Sequence, residues 1–249
     1  MQKNKNWSTN LENKITITQK LLSLLSLKVR EEQFKIFWRL LKPETGLKIL
    51  DVGVRADETL ADSNFFEKKY PFPENLTATS VEDCSHLTKK YPRIKFAKIL
   101  SKKPFPFANG EFDIVVSWAT LEHVGQRVEQ KFFLSELFRV GKKLFVTTPD
   151  KSCFYEPHSG LFFAHWLPHK YFSLVCEILG KKFWSDVDNL NPLSRADIFK
   201  ILPTVNGIKI LNYKMLGLIP SHLIVVKTQD DKKKGFLYFG NYWFILFFP

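Results

Sequence analysis

Three places in the chain combine residue types that have chemistry to offer. In Ile49-Leu50-Asp51-Val52-Gly53 an apolar strand ends in an acid and a glycine. Glycine there lets the backbone turn tightly into a following helix, with free N–H groups aimed at a ligand. The run Leu121-Glu122-His123-Val124 carries an imidazole. Its ordinary pKa of about 6.5 lets it take a proton at neutral pH, although the same ring can simply order its loop by hydrogen bonding. The stretch YEPHSGLFFAHWLPHK, residues 155–170, sets Glu156, His158 and His165 among Phe162, Phe163 and Trp166. Such groups can hold or deprotonate a hydroxyl against an apolar wall, or be satisfied by backbone groups inside aromatic packing. A metal site built from Glu156, His158, His165 and His169 matches no H-E-x-x-H spacing, and Pro168 interrupts any helix between the last two histidines. No metal is expected on that basis.

The elements that must position these residues can be read from periodicity. Residues 11–41 read as a helix, with Phe34, Phe37, Trp38 and Leu41 at i, i+3, i+4 and i+7 before Pro43 and Gly46 end the pattern. Short β-rich runs at 47–52, 76–81, 94–99, 112–117 and 144–148 then alternate with helical stretches at 56–70, 83–91 and 128–140. Alternation of this kind predicts an α/β fold with a parallel sheet covered by helices on both faces, whose ligands bind at the carboxyl ends of the strands. Residues 149–192 are aromatic and loop-rich, and 208–213 with 221–228 read as a closing hairpin. The expected organisation is a helical extension at 1–42, one domain at 43–228 with an insertion at 149–192, and a tail at 229–249.

A family resemblance rests on these motifs. ILDVGVRAD, residues 49–57, resembles the D-x-G-x-G-x-G motif of class I S-adenosylmethionine-dependent methyltransferases, with Arg55 and Asp57 where the second and third glycines would stand. PFANGEFDIVVSWATLEHV, residues 106–124, is similar to the P-F-x-[DN]-x-x-F-D … L-E-H-V run of the methyltransferase group called type 11. SNFFE, GLIPSHLIVV and the E-x-H … H-W-L-P pattern are shared with a narrower set of bacterial relatives. The resemblance spans about residues 47–228 and implies a Rossmann-like methyltransferase sheet with S-adenosyl-L-methionine as cofactor.

It also implies roles for single residues. Asp51 and Gly53 would shape the cofactor turn. An acid at the end of the second strand would accept hydrogen bonds from the ribose hydroxyls, a task that suits a carboxylate's two oxygens. Glu82 fits that position, with Asp83 as the alternative. Ser101 stands where the family commonly has an acid near the adenine, and Ser117 is a secondary contact. The insertion lies on the acceptor side, which gives His123, Glu156 and His158 to the acceptor. A catalytically silent methyltransferase-like scaffold is the rival reading, suggested by the lost glycines and the lost third-strand acid. A nicotinamide-dependent oxidoreductase is disfavoured because G-x-G-x-x-G is absent.

Composition narrows the setting. The 249 residues suit one α/β core with additions, and 45% hydrophobic with 25% charged residues is ordinary for a globular chain. The formal charge of +12 would suit an anionic partner, but the lysines fall in scattered pairs such as Lys68-Lys69 and Lys142-Lys143, without an Arg-rich stripe. Nucleic acid is therefore not expected, and a small-molecule, glycan or lipid-linked acceptor is. Cys84, Cys153 and Cys176 make no metal or disulfide pattern, and the polar N-terminus lacks a secretory signal, so a cytoplasmic location is expected. The tail joins Lys232-Lys233-Lys234 to an aromatic run from Phe236 to Phe248. It reads as a peripheral membrane anchor, as a segment docked on the domain or a partner chain, or as an extension without a role.

Overall fold

The computed structural model describes residues 17–204 and 206–228. The beginning expected for the first helix and the whole tail at 229–249 lie outside the described residues. The chain forms two compact units, one within Met1–Leu100 and the other within Ser101–Pro249.

The first unit opens with α1, Ile17–Leu41. Val29, Gln33, Phe37 and Leu41 recur every fourth residue and are all buried, which makes one face of this helix the inner one. Phe37 meets Phe66 edge to face at 5.5 Å, and Phe66 stacks on Tyr70 at 5.1 Å. Three strands follow: β1 Ile49–Val52, β2 Leu76–Ser80 and β3 Lys95–Lys98. They pair in parallel in the order β3-β2-β1, Ile49 opposite Leu76 and Thr77 opposite Lys95. All four side chains of β1 are buried, as an interior parallel strand requires.

Two helices of this unit are shorter than their sequence pattern predicts. The stretch 56–70 is helical only over α2, Phe65–Lys69. Upstream, Asp57 accepts the N–H and the hydroxyl of Thr59 at 2.9 Å each, a local turn that competes with helix. Asn64 sits in the left-handed region at φ 47, which ends any helix running into α2 from before it. Likewise 83–91 is helical only over α3, Leu87–Lys90, because Asp83 accepts the N–H of Ser85 and folds the chain into a turn.

In the second unit β4, Phe112–Trp118, runs parallel to β5, Gly141–Pro149, and the crossover between them is α4, Arg127–Val140. The closing hairpin is β8, Ile208–Met215, with β9, Ile219–Lys227, and β9 lies antiparallel between β5 and β8. The insertion is more regular than its composition suggests. It holds a two-stranded ribbon, β6 Tyr155–Glu156 with β7 Leu161–Phe162, and the helices α5 His169–Ile178 and α6 Lys182–Ser185. Pro168 precedes the first turn of α5, where its missing N–H costs nothing. Phe172 and Cys176, four residues apart, bury one face of α5 against Leu190. A last helix, α7 Arg195–Ile201, starts at a capping box of Ser194 and Asp197.

The three parallel strands of the first unit, and the parallel pair, crossover helix and C-terminal hairpin of the second, are those of a Rossmann-like α/β methyltransferase fold. Among the described residues no helix is long and apolar enough to cross a membrane.

Candidate functional site

In the first unit the segment after β1 is where a ligand turn is expected. Gly53 has φ 117, a conformation that L side chains rarely adopt, so glycine is needed here. The expected row of free N–H groups is absent. Gly53 and Val54 both donate to the carbonyl of Thr79 at 3.0 and 3.1 Å, Arg55 donates to Asn64 Oδ1 at 3.0 Å, and Ala56 donates to Glu82 Oε2 at 2.9 Å. No helix starts at this turn to supply further donors. Asn64 returns its amide to the Arg55 carbonyl at 2.9 Å and to Glu58 Oε1 at 3.2 Å. A side chain nine residues downstream thus does the bracing, in a stretch where the motif has Arg55 and Asp57 in place of glycines.

The acids of this unit sit in different surroundings. Asp51 is buried beside Glu67, the third residue of α2. Burial first, and the facing Glu67 carboxyl second, push Asp51 well above the usual carboxylate range. Burial raises Glu67 too. Two acids within hydrogen-bonding reach in such a place share a proton. Glu82 is half-buried. Its Oε2 is taken by Ala56 N–H and its own N–H is held by Ser80 Oγ at 3.0 Å, which leaves Oε1 for another donor. Asp83 is exposed and is held below the ordinary range by the N–H and hydroxyl of Ser85.

The second unit brings together the residues expected on the acceptor side. Glu122 and His123 lie in a 3-10 turn, Leu121–His123, just past β4. Gln130 of α4 donates to the Leu121 carbonyl at 3.1 Å, Asn191 donates to the Glu122 carbonyl at 2.8 Å, and Thr148 of β5 donates to Glu122 Oε2 at 2.9 Å. The turn is therefore anchored from three elements. His158 sits in the turn between β6 and β7, and its Nδ1 lies 2.6 Å from Glu156 Oε1.

Glu156 is the fixed point of this cluster. Burial by itself would raise its carboxyl, but the His158 ring and the N–H and side chain of Ser159 outweigh that and hold it at about 2. An ionised carboxylate only accepts, so His158 Nδ1 carries the hydrogen. On the other ring, His123 Nδ1 is 2.7 Å from the carbonyl of Asn189, which also only accepts. Both Nδ1 positions are thus protonated, and the two Nε2 atoms face each other at 3.1 Å. Two neutral rings in these tautomers would set lone pair against lone pair, so the geometry calls for a proton or a cation between them. The rings meet edge to face, and Trp184 of α6 lies 5.4 Å from the His158 ring and 6.4 Å from the His123 ring.

The other expected residues lie elsewhere. His165 is buried with Nε2 2.8 Å from the Cys153 carbonyl, which Trp166 Nε1 also reaches at 3.1 Å, so it braces the insertion. His169 opens α5. Ser101 is exposed, and Ser117 is wholly buried in β4 opposite Val146. The residues of these two clusters that the sequence did not single out are Asn64, Glu67, Glu122 and Asn189. Glu122 stood in the quoted L-E-H-V run, whereas Asn189 takes part only through its backbone and leaves no signal.

No known family model matches the chain, and no curated protein is similar to it. Among solved structures, a protein from Pyrococcus horikoshii is similar at 13% identity and a TM-score of 0.50, over 80% of this chain and 89% of that one. An S-adenosylmethionine-dependent methyltransferase from Methanosarcina mazei aligns at 15% identity and a TM-score of 0.47, over 74% of this chain and 93% of its own. The N-methyltransferase NodS from Bradyrhizobium japonicum aligns at 14% identity and a TM-score of 0.47, over 79% and 93%. At such identities the likeness is one of fold.

Proposed function

We propose that this chain is an S-adenosyl-L-methionine-dependent methyltransferase acting on a small-molecule, glycan or lipid-linked acceptor. The observation that carries the reading is the pairing, on this fold, of Gly53 at φ 117 with Glu82, tied across the turn through Ala56 N–H. That arrangement sets an acid at the end of β2 against the turn that follows β1. The free Glu82 Oε1 suits a ribose hydroxyl, and Asp83 is the alternative acid. Asp51, buried beside Glu67, stands within the strand that leads into this turn.

The sulfonium methyl of the cofactor is electrophilic without help, so the protein's task is to hold acceptor and methyl in line at near-attack distance. In the second unit His123 and His158, oriented by Asn189 and Glu156, form the polar group to which an acceptor hydroxyl or amine would be held. Ser101, exposed, and Ser117, wholly buried in β4, add no support to this reading. One observation favours the silent-scaffold reading: the four successive N–H groups from Gly53 to Ala56 are already satisfied within the protein.

Thermal unfolding of the full chain with S-adenosylmethionine, S-adenosylhomocysteine or NADH separates the readings. Ligand at 100 times its Kd adds about 2.7 kcal/mol. Stabilisation by the first two is expected, followed by transfer of isotope-labelled methyl groups into metabolites of cells lacking the gene. Stabilisation by NADH alone overturns the proposal, and cofactor binding with no labelled product supports the scaffold.

A further inference from the structure

We infer that Glu122, His123 and His158 hold a divalent first-row transition-metal ion. The juxtaposition is made of side chains that come together only in the folded chain, His123 from the turn after β4 and His158 from the turn of the β6–β7 ribbon. Their Nε2 atoms are 3.1 Å apart and Glu122 Oε1 is 3.8 Å from the His123 Nε2. One donor atom from each of the three residues falls within a 4.8 Å span. Two nitrogens bound to one tetrahedral ion at about 2.0–2.1 Å each stand roughly 3.3 Å apart, within a few tenths of the spacing seen.

The outer contacts point the same way. A metal-binding histidine usually gives its second ring N–H to a carboxylate or a backbone carbonyl, which fixes the tautomer and aims the free lone pair at the ion. His158 does this with Glu156 and His123 with the Asn189 carbonyl, at 2.6 and 2.7 Å. The third donor is prepared likewise, since Thr148 Oγ1 holds Glu122 Oε2.

The third donor separates an ion from a shared proton. A proton between the rings engages the two Nε2 atoms alone, whereas an ion also uses Glu122, which is buried with them. Two imidazoles and one carboxylate are a ligand set for zinc or iron(II), with coordination positions left for water or an acceptor oxygen. The two Nε2 atoms are then ligands and not bases. The site stands independently of methyl transfer, because its test reads metal content.

The test uses the full chain, stripped with a chelator and titrated with Zn²⁺ and with Co²⁺ against a chromophoric competitor. One ion per chain is expected, with visible Co²⁺ absorption of a low-coordinate site. X-ray absorption of the zinc form should show nitrogen and oxygen at about 2.0–2.1 Å with an imidazole signature. His158→Ala and Glu122→Gln should each weaken Zn²⁺ binding at least 100-fold, with folding checked by circular dichroism. Sub-stoichiometric binding at 0.1 mM free Zn²⁺, sulfur in the coordination shell, or unchanged affinity in both folded variants overturns the assignment. The absorption measurement needs no variant, so a failure of either substitution to fold leaves the proposal open to refutation.

Discussion

His123 and His158 are locked in mirror fashion: each commits Nδ1 to an acceptor, Asn189 O or Glu156 Oε1, and turns Nε2 to the other ring. The lock depends most on Glu156, which receives hydrogen bonds from His158 Nδ1 and from the N–H groups of His158 and Ser159. Glu156→Gln exchanges charge-assisted bonds for neutral ones and should lower stability by roughly 1.5–3 kcal/mol. Urea unfolding compares it with the parent chain, and a difference below about 0.5 kcal/mol, the scale of a surface change, would contradict the role.

The Asp51 and Glu67 pair gives a pH dependence of definite sign. Burial raises both folded-state pKa values above the unfolded ones, which are near 4, and the facing Glu67 carboxyl adds to the rise at Asp51. The folded state then binds more protons, so stability falls as pH rises from about 4 through the raised values. Glu67→Gln removes the second charge while keeping a hydrogen-bonding group for Asp51. Its unfolding midpoint is expected to overtake that of the parent chain as pH rises, and parallel curves from pH 4 to 8 would refute the shared-proton pair.

Asp62 offers the opposite sign. Burial opposes its charge, but Arg30 and the hydroxyls of Ser23 and Ser26 win and lower its pKa. Its contribution is complete above the unfolded pKa of about 3.9 and is lost as pH falls through the lower folded value. Asp62→Asn should flatten the acid limb of the stability curve. An unaltered limb would show that the α1 contact does not depend on this charge.

Asn64 braces the turn through Arg55 N–H, Arg55 carbonyl and Glu58. Asn64→Ala loses these bonds and leaves a less tolerant residue at φ 47, so a loss of about 2–4 kcal/mol is expected. Asn64→Gly should recover only the backbone part. If the two variants are equally stable, the hydrogen bonds rather than the backbone conformation set the cost.

At the turn after β1, the proposed cofactor site predicts that Glu82→Ala weakens S-adenosylhomocysteine binding by roughly 1.5–3 kcal/mol, the scale of a hydrogen bond to a charged group, and that Asp83→Ala leaves it unchanged. Calorimetric titration distinguishes them, and the reverse pattern would move the ribose role to Asp83. Gly53→Val should abolish binding, since valine at φ 117 is strained before any ligand is met.

Much of the architecture was legible because it is written locally. The buried runs at β1, β4 and β5 are apolar without alternation, as strands covered on both faces must be, and α4 shows its apolar face in Phe133, Leu137 and Val140. The helix expected over 56–70 failed for a reason no periodicity contains. Asn64 adopts a left-handed conformation whose stability comes from bonds to Arg55, so the helix begins only at Phe65. α5 was hidden by aromatic composition, although Pro168 and the Phe172 and Cys176 spacing mark its start and its inner face.

The sequence by itself determined that this chain builds a Rossmann-like α/β fold with a glycine turn after the first strand, an acid after the second and a histidine after the fourth. Those features follow from propensity, periodicity and spacing within a few residues. Tertiary structure alone decided what the groups face. Asp51 meets Glu67 sixteen positions away, and Glu82 closes the turn through Ala56 N–H. His158 finds His123 at a separation of 35 residues, and both find Glu122. Convergence of that kind depends on where strand ends and an inserted ribbon are carried by packing, and on lone pairs aimed by a backbone carbonyl at Asn189 that no side-chain pattern records.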